Sequence, residues 1–433
     1  MKMASKRAEQ LRIEGTVEPG FESVRDLYVE NMRSLEERNT QLCVYYKGKR
    51  VVDLWATAIG DNDFSADSLV NVFSSSKSLA AIALSSLVGK GLLDYSARIS
   101  SYWPEFAANG KEALTVADLM RHEAGLAAFN TSLTPEDLHA ENLKKNPIGK
   151  IIEGHPATFP HGWEGNREYH AITRGWVANE VFRRVDPAGR TIGEYLRQEL
   201  AEPLGADIVL GMREPELTRR SPVVQLGFGF QFIQSLIPKF LGRRIEHNLF
   251  QLIRRIARLL PGIRHSTSRN APPPYKGMKG VDFFNEPVVA MGETPSANAN
   301  CSARGLAKIA AMVAGGGSWQ GTEYLSDSAL QALHAEPRPA SMGLMDTVFS
   351  QGGVNAFVDV GPNGTPHARG LNEGREGFWG WMGLGGSIFQ WHPEHEIGFG
   401  YVPTSLNVLD IQNERGKAYQ REVVRCVAKL NGA

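Results

Sequence analysis

Cysteine is scarce in this chain: Cys43, Cys301 and Cys426 are the only three in 433 residues, an odd number without pair spacing. That pattern excludes a disulfide framework and fits a reducing compartment. Long apolar runs are missing too, and the opening "MKMASKRAEQLRIEG" lacks the apolar stretch of a signal peptide. A cytoplasmic protein without a membrane span is therefore expected. Net charge is absent as well, since Lys+Arg and Asp+Glu both number 47. The global field then draws in neither nucleic acid nor anionic membrane, and no nucleic-acid partner is expected. There is no Walker loop, no placed G-x-G-x-x-G and no G-x-S-x-G, which removes nucleotide binding and the α/β-hydrolase nucleophile elbow. His392, His395 and Glu396 mimic a metal spacing, but on a hairpin turn without a third ligand. Neither a metal nor a cofactor is expected.

What is present is a 42% hydrophobic composition, enough for a large core. "QLCVYYKGKRVVDLWATA" reads as two strands joined at Lys47-Gly48-Lys49. A helix starting near Ser74, capped by its serines, continues through "LAAIALSSL", too small and apolar for a surface helix, so it is expected to be buried on most sides. From about residue 100 to 300 the chain reads as helical, loop-rich and proline-punctuated, without consecutive strands. "SARGLAKIAAMVAGGG" is a helix, "GSIFQWHPEHEIGFGYVP" a hairpin about His392 to His395, and Asn413 to Leu430 a closing helix. The expected architecture is α+β: an antiparallel sheet built from both chain ends, flanked by helices, with an inserted, mainly helical lobe. In residue terms this is a discontinuous sheet domain over 1–105 and 301–433, and a lobe over 106–300.

Within the lobe, an insertion at about 227–279 holds a basic stretch. Residues 239–269 carry Lys239, Arg243, Arg244, Arg254, Arg255, Arg258, Arg264 and Arg269 against one acid, Glu246. Leu249, Leu252, Ile253, Ile256, Leu259 and Leu260 share a helical face opposite Arg254, Arg255 and Arg258. Such a helix either packs its apolar face on the body or lies on a membrane surface.

The chemistry begins at Ser74 and Lys77, an S-x-x-K pair at a helix start, where both side chains leave the same face. A serine hydroxyl is a poor nucleophile until a neighbouring base takes its proton, and a buried amine loses its own proton readily enough to be that base. The motif alone is weak, and a capping serine beside a solvated lysine would look the same. What gives it weight is the company it keeps.

"FSSSKS", "LTVADLMRHEAGL", "YHAITRGWVANEVFRRVDPAGRTIGEYLRQELAEPLGA", "SANANCSARGLAKIAAMVAGGG" and "WGWMGLGGSIFQWHPEHEIGFGYVP" follow one another in an order that resembles the serine β-lactamase and penicillin-binding-protein-like superfamily. Within it, class C β-lactamases and family VIII carboxylesterases are most similar. The resemblance implies the transpeptidase-like fold, Ser74 as nucleophile, Lys77 as its proton-handling partner and Tyr169 as general base or acid, its phenolate favoured by the neighbouring ammonium. It further implies an oxyanion hole from the backbone N–H groups of Ser74 and Leu384, with Gly383 keeping that strand open to close approach. His170 is a candidate substrate contact, and His122 a structural brace behind the site.

The third motif departs from the family, because Trp381-Met382-Gly383 stands where a Lys-Thr-Gly or His-x-Gly is usual. The missing cation ordinarily holds a substrate carboxylate, and an indole offers only a neutral N–H and a flat face. Ala171 likewise replaces an asparagine that helps bind β-lactam side chains. Both changes point to a neutral, partly apolar acyl substrate, hence a small-molecule ester acted on by a carboxylesterase or acyltransferase. A β-lactamase or D-alanyl-D-alanine peptidase is the alternative enzyme, and a non-catalytic scaffold or membrane-surface protein the alternative outside catalysis.

Overall fold

The computed structural model of the chain describes residues 10–158, 167–245, 248–254, 269–343, 345–407, 410 and 412–432. The strands of its main sheet all come from the two chain ends. Near the start they are β1 (Arg12–Val17), β2 (Asn39–Tyr46) and β3 (Lys49–Thr57). Toward the end they are β4 (Arg338–Met342), β5 (Met345–Phe349), β6 (Asn355–Ala356), β7 (Trp379–Met382), β8 (Ile388–His392) and β9 (Ile397–Pro403). They form one antiparallel sheet in the order β1-β3-β2-β9-β8-β7-β6-β5-β4. The seam between the ends is β9 on β2, with Tyr401 opposite Leu42. The β2–β3 turn is Lys47-Gly48 alone, with φ of 49° and 73°. Two positive-φ residues give the turn whose twist matches the flanking strands.

Helices cover both faces. On one, α1 (Glu22–Ser34) and α6 (Glu414–Leu430) pack Val24, Tyr28, Met32, Tyr419, Val423 and Val427 against the sheet. On the other lies α5 (Ala303–Ala314), which approaches so closely that a Cβ on Gly398 would stand 2.3 Å from the Ala311 nitrogen. Further in, α2 (Ser76–Gly89) is buried on every side from Ser76 to Leu87, as its composition led us to expect. Its neighbour α3 (Thr173–Val185) belongs to the helical lobe.

Three expectations need correction. The charged opening, whose sequence reads as helical, holds a strand as well: β1 precedes α1, and Gly15 (φ 101°) lets it lie against β3, where a Cβ would meet the Asp53 carbonyl. The lobe does contain strands, at Ile208–Val209 and Val224–Gln225, each too short to show periodicity. The β4–β5 hairpin, with its alternation broken by Pro339, Ser341 and Gly343, carried no strand signal. As for the basic stretch, Lys239–Leu241 is a single 3-10 turn and residues 249–254 are helical. Glu246, Arg255, Ile256, Arg258, Leu259, Leu260 and Arg264 lie outside the described residues. Among the described residues no helix is long and apolar enough to cross a membrane, and all three cysteines are buried free thiols.

Candidate active site

A short strand, Val70–Asn71, delivers the chain to Ser74. Phe73 sits at φ +45°, a left-handed conformation rare for an aromatic residue, and gives its N–H to Asn71 Oδ1 at 2.7 Å. The turn Phe73–Ser75 then runs straight into α2. The three consecutive serines do different work, and none caps the helix. Ser74 lines a cleft of about 160 Å³. Ser75 Oγ lies 3.0 Å from Ser387 Oγ, tying the turn to the strand region after β7. Ser76 Oγ accepts the Ala299 N–H at 3.1 Å. The serine-cap expectation is therefore corrected, because neighbouring segments hold this helix start in place.

Lys77 projects back beneath Ser74. Its Nζ donates to the Ala171 carbonyl at 2.7 Å, to the Ser296 carbonyl at 2.9 Å and to Ser74 Oγ at 3.1 Å. Burial, aided by the Arg174 guanidinium, pushes its pKa well below the ordinary lysine value. Two N–H bonds fixed on carbonyls leave the third valence facing Ser74, so loss of that proton aims a lone pair at the hydroxyl.

Tyr169 completes the group. Its hydroxyl accepts the Trp381 indole N–H at 3.1 Å and is near enough to Ser74 for that hydroxyl to lower its pKa, while Lys77 Nζ lies 4.7 Å from its ring centre. Burial pushes the Tyr169 pKa up, and the bonds from Ser74 and Trp381 offset this only in part. The anticipated tyrosinate is thus disfavoured. These opposite directions favour a neutral amine that can accept a proton and a protonated phenol that can donate one.

Trp381 is buried between Tyr169 and Phe349, yet borders the cleft with Met345, Met382, Gly383, Leu384, Gly385, Asn407, Asp410 and Asn413. Gly383 has no room for a side chain: a Cβ would stand 2.3 Å from the Val72 carbonyl oxygen. Among the described residues the backbone N–H groups of Ser74 and Leu384 have no hydrogen-bond acceptor, and both residues line the cleft. Next to Leu384, Arg415 bonds the Gly385 carbonyl and is itself held by Glu37 at 2.6 Å and Asp410 at 3.4 Å.

His170 is not brought to the cleft, and its reading as a substrate contact is corrected. It is wholly buried, its Nε2 accepts the Leu126 N–H at 2.9 Å, and Nδ1 donates to the Glu168 carbonyl at 2.6 Å. Both ring nitrogens are spent on main chain, and burial pushes its pKa down to about 4. His122, at φ +68°, packs its ring 4.9 Å from that of Tyr169, behind the site as expected.

Sequence reasoning missed Arg174, which is buried without a carboxylate partner among the described residues. It donates to the carbonyls of Lys77 (3.0 Å), Met120 (3.0 Å) and Gly353 (3.1 Å). Its signal was a charge at the start of a helix five residues after Tyr169, just before the uncharged run Gly175 to Asn179. Ser296 and Ala171 act through carbonyl oxygens, which no side-chain pattern announces.

Comparison with known proteins places this geometry. Residues 24–225 match the Beta-lactamase family model. Over 398 residues the chain is 29% identical to the esterase/beta-lactamase LipL of Mycobacterium tuberculosis, covering 91% of this chain and 83% of that one. A penicillin-binding-protein homologue from Caulobacter crescentus superposes with a TM-score of 0.73 at 25% identity, over 96% of this chain and all of the other. A family VIII carboxylesterase shares the fold with a TM-score of 0.73 at 24% identity and the same coverage. The β-lactamase-related fold anticipated from the ordered motifs is the one observed.

Proposed function

We propose that this protein is a serine hydrolase that cleaves small carboxylic esters through an acyl-enzyme on Ser74. Lys77 Nζ takes the Ser74 proton as Oγ attacks the ester carbonyl, and the oxyanion rests on the N–H groups of Ser74 and Leu384. Tyr169 gives its phenolic proton to the departing alkoxide and regains one through Lys77. Water then attacks the acyl carbonyl by the reverse relay, releasing acid and restoring Ser74. An alcohol or amine in place of water gives acyl transfer with the same residues.

The observation that carries the ester reading is the wall opposite Ser74. Trp381 spends its N–H on Tyr169, and among the described residues no lysine, arginine or histidine lines the cleft, whereas Asp410 does. A penicillin or a terminal D-alanine would bring its carboxylate to a wall whose charged lining side chain, Asp410, is an acid already paired with Arg415, with no cation of the lining to receive it. The relatives named as esterases agree with this choice.

The test is a panel of p-nitrophenyl esters with wild type and Ser74→Ala. We expect turnover by the wild type, roughly a thousandfold loss or more in the variant, and little turnover of nitrocefin. Equal ester turnover by both proteins would refute the nucleophile assignment, and rapid nitrocefin hydrolysis would favour the β-lactamase reading. Presentation of the ester at a lipid surface is compatible with this site, because the insertion from residue 227 borders a chamber next to the cleft.

A further inference from the structure

The helix α4 (Phe228–Leu236) is built inside out. Its buried residues are Gln231, Gln234 and Ser235, while Phe228, Phe232, Ile233 and Leu236 are each more than half exposed. The exposed set falls at i, i+4, i+5 and i+8, a single face. The pattern continues beyond the helix, with Phe240 at 86% exposure, Leu241 at 66%, Phe250 at 71% and Ile253 at 55%. Of the eleven large apolar side chains exposed among the described residues, these eight lie in one segment. Scattered singly they would need no explanation, but a contiguous patch marks a surface meant to be covered.

Charge selects what covers it. From Leu226 to Arg254 the sequence carries Lys239, Arg243, Arg244 and Arg254 against a single acid, Glu246. A second copy of the chain seated on the same patch would bring like charges face to face. An anionic lipid surface offers both an apolar interior for the aromatic and aliphatic groups and phosphates for the cations.

The inner side of the same segment leads to the cleft. Leu226, Phe230, Gln231, Ile245 and Leu252 form one wall of a chamber of about 210 Å³, whose opposite wall includes Asn407 and Asp410. These last two residues also line the Ser74 cleft. One segment therefore turns an apolar, basic face outward and walls an antechamber of the site inward.

We propose that the stretch from Phe228 to Leu241, together with residues 250–254, docks the protein on an anionic lipid surface and admits an acyl chain from that surface into the chamber beside Ser74. Admission of the acyl chain rests on the ester-hydrolase reading; docking does not.

Flotation with vesicles of equal parts phosphatidylcholine and phosphatidylglycerol, and with phosphatidylcholine alone, tests the docking. The wild type and Ser74→Ala should float alike with the anionic vesicles and less with the neutral ones. The triple variant Phe232→Ser, Ile233→Ser, Phe240→Ser should lose at least about tenfold in partitioning, and Lys239→Gln with Arg254→Gln roughly fivefold per charge. None of these five side chains lines the cleft or the chamber, so kcat/KM for p-nitrophenyl acetate should stay at the wild-type value while hydrolysis of vesicle-borne long-chain esters falls. No binding by the wild type, or undiminished binding by the triple variant, would overturn the proposal. So would a wild-type dimer that becomes monomeric in the triple variant. Vesicle binding by a protein that hydrolyses no ester would retain the docking and dismiss the ester reading.

Discussion

The Lys77 amine faces two carbonyl oxygens, one hydroxyl and an aromatic ring, and among the described residues no carboxylate pairs with it. Burial and the Arg174 guanidinium both favour the neutral form. The sign of the pH effect follows. Below its lowered pKa Nζ carries its third proton and cannot accept another, whereas above it the lone pair is free. The rate constant for acylation should therefore rise with pH through that pKa, with a midpoint well below the ordinary lysine value of 10.5. Stopped-flow release of p-nitrophenol across pH measures it. A limb at the usual lysine pKa would show that the amine is not desolvated in the working enzyme. Tyr169 moves the opposite way, since burial favours its phenol, and this divergence is what the proposed mechanism uses to give the two groups separate duties.

Between elements, what matters is how closely the start of α2 approaches the end of β7. The only spacer between Gly383 and the Val72 carbonyl is a missing side chain, and Ser387 Oγ crosses the gap to donate to that same carbonyl at 2.7 Å. Gly383→Ala must push the strand away from the serine turn and carry the Leu384 N–H with it. Losing one oxyanion donor costs about 3 kcal/mol, so kcat for p-nitrophenyl acetate should fall about a hundredfold with far less change in KM. A variant with unaltered kcat would place the oxyanion elsewhere. The buried Glu37–Arg415–Asp410 cluster fixes the other flank of this loop by holding the Gly385 carbonyl.

Across the whole molecule, the sheet from both chain ends, the buried central helix and the meeting of Ser74, Lys77 and Tyr169 were legible because each has a sequence trace. Runs rich in Val and Tyr gave β2 and β3, the runs about the His392 to His395 turn gave β8 and β9, a helix of small and apolar residues gave α2, and an ordered set of motifs with side chains of recognisable chemistry gave the site. What escaped had no such trace. Two-residue strands show no period, Ser296 and Ala171 act through main-chain oxygens, and His170 looks like a substrate contact until its ring nitrogens are found bonded to Leu126 and Glu168. The inverted face of α4 was hidden for another reason: its polar residues are buried and its apolar ones exposed, the reverse of what amphipathic reading assumes. All these parts converge on one hydroxyl, and trapping the acyl group there is the most direct test. A slowly hydrolysed p-nitrophenyl ester, quenched in acid and followed by peptide mass mapping, should place the acyl mass on Ser74 in the wild type and strongly reduce it in Lys77→Ala. An acyl group on any other residue, or none during active turnover, would contradict the account.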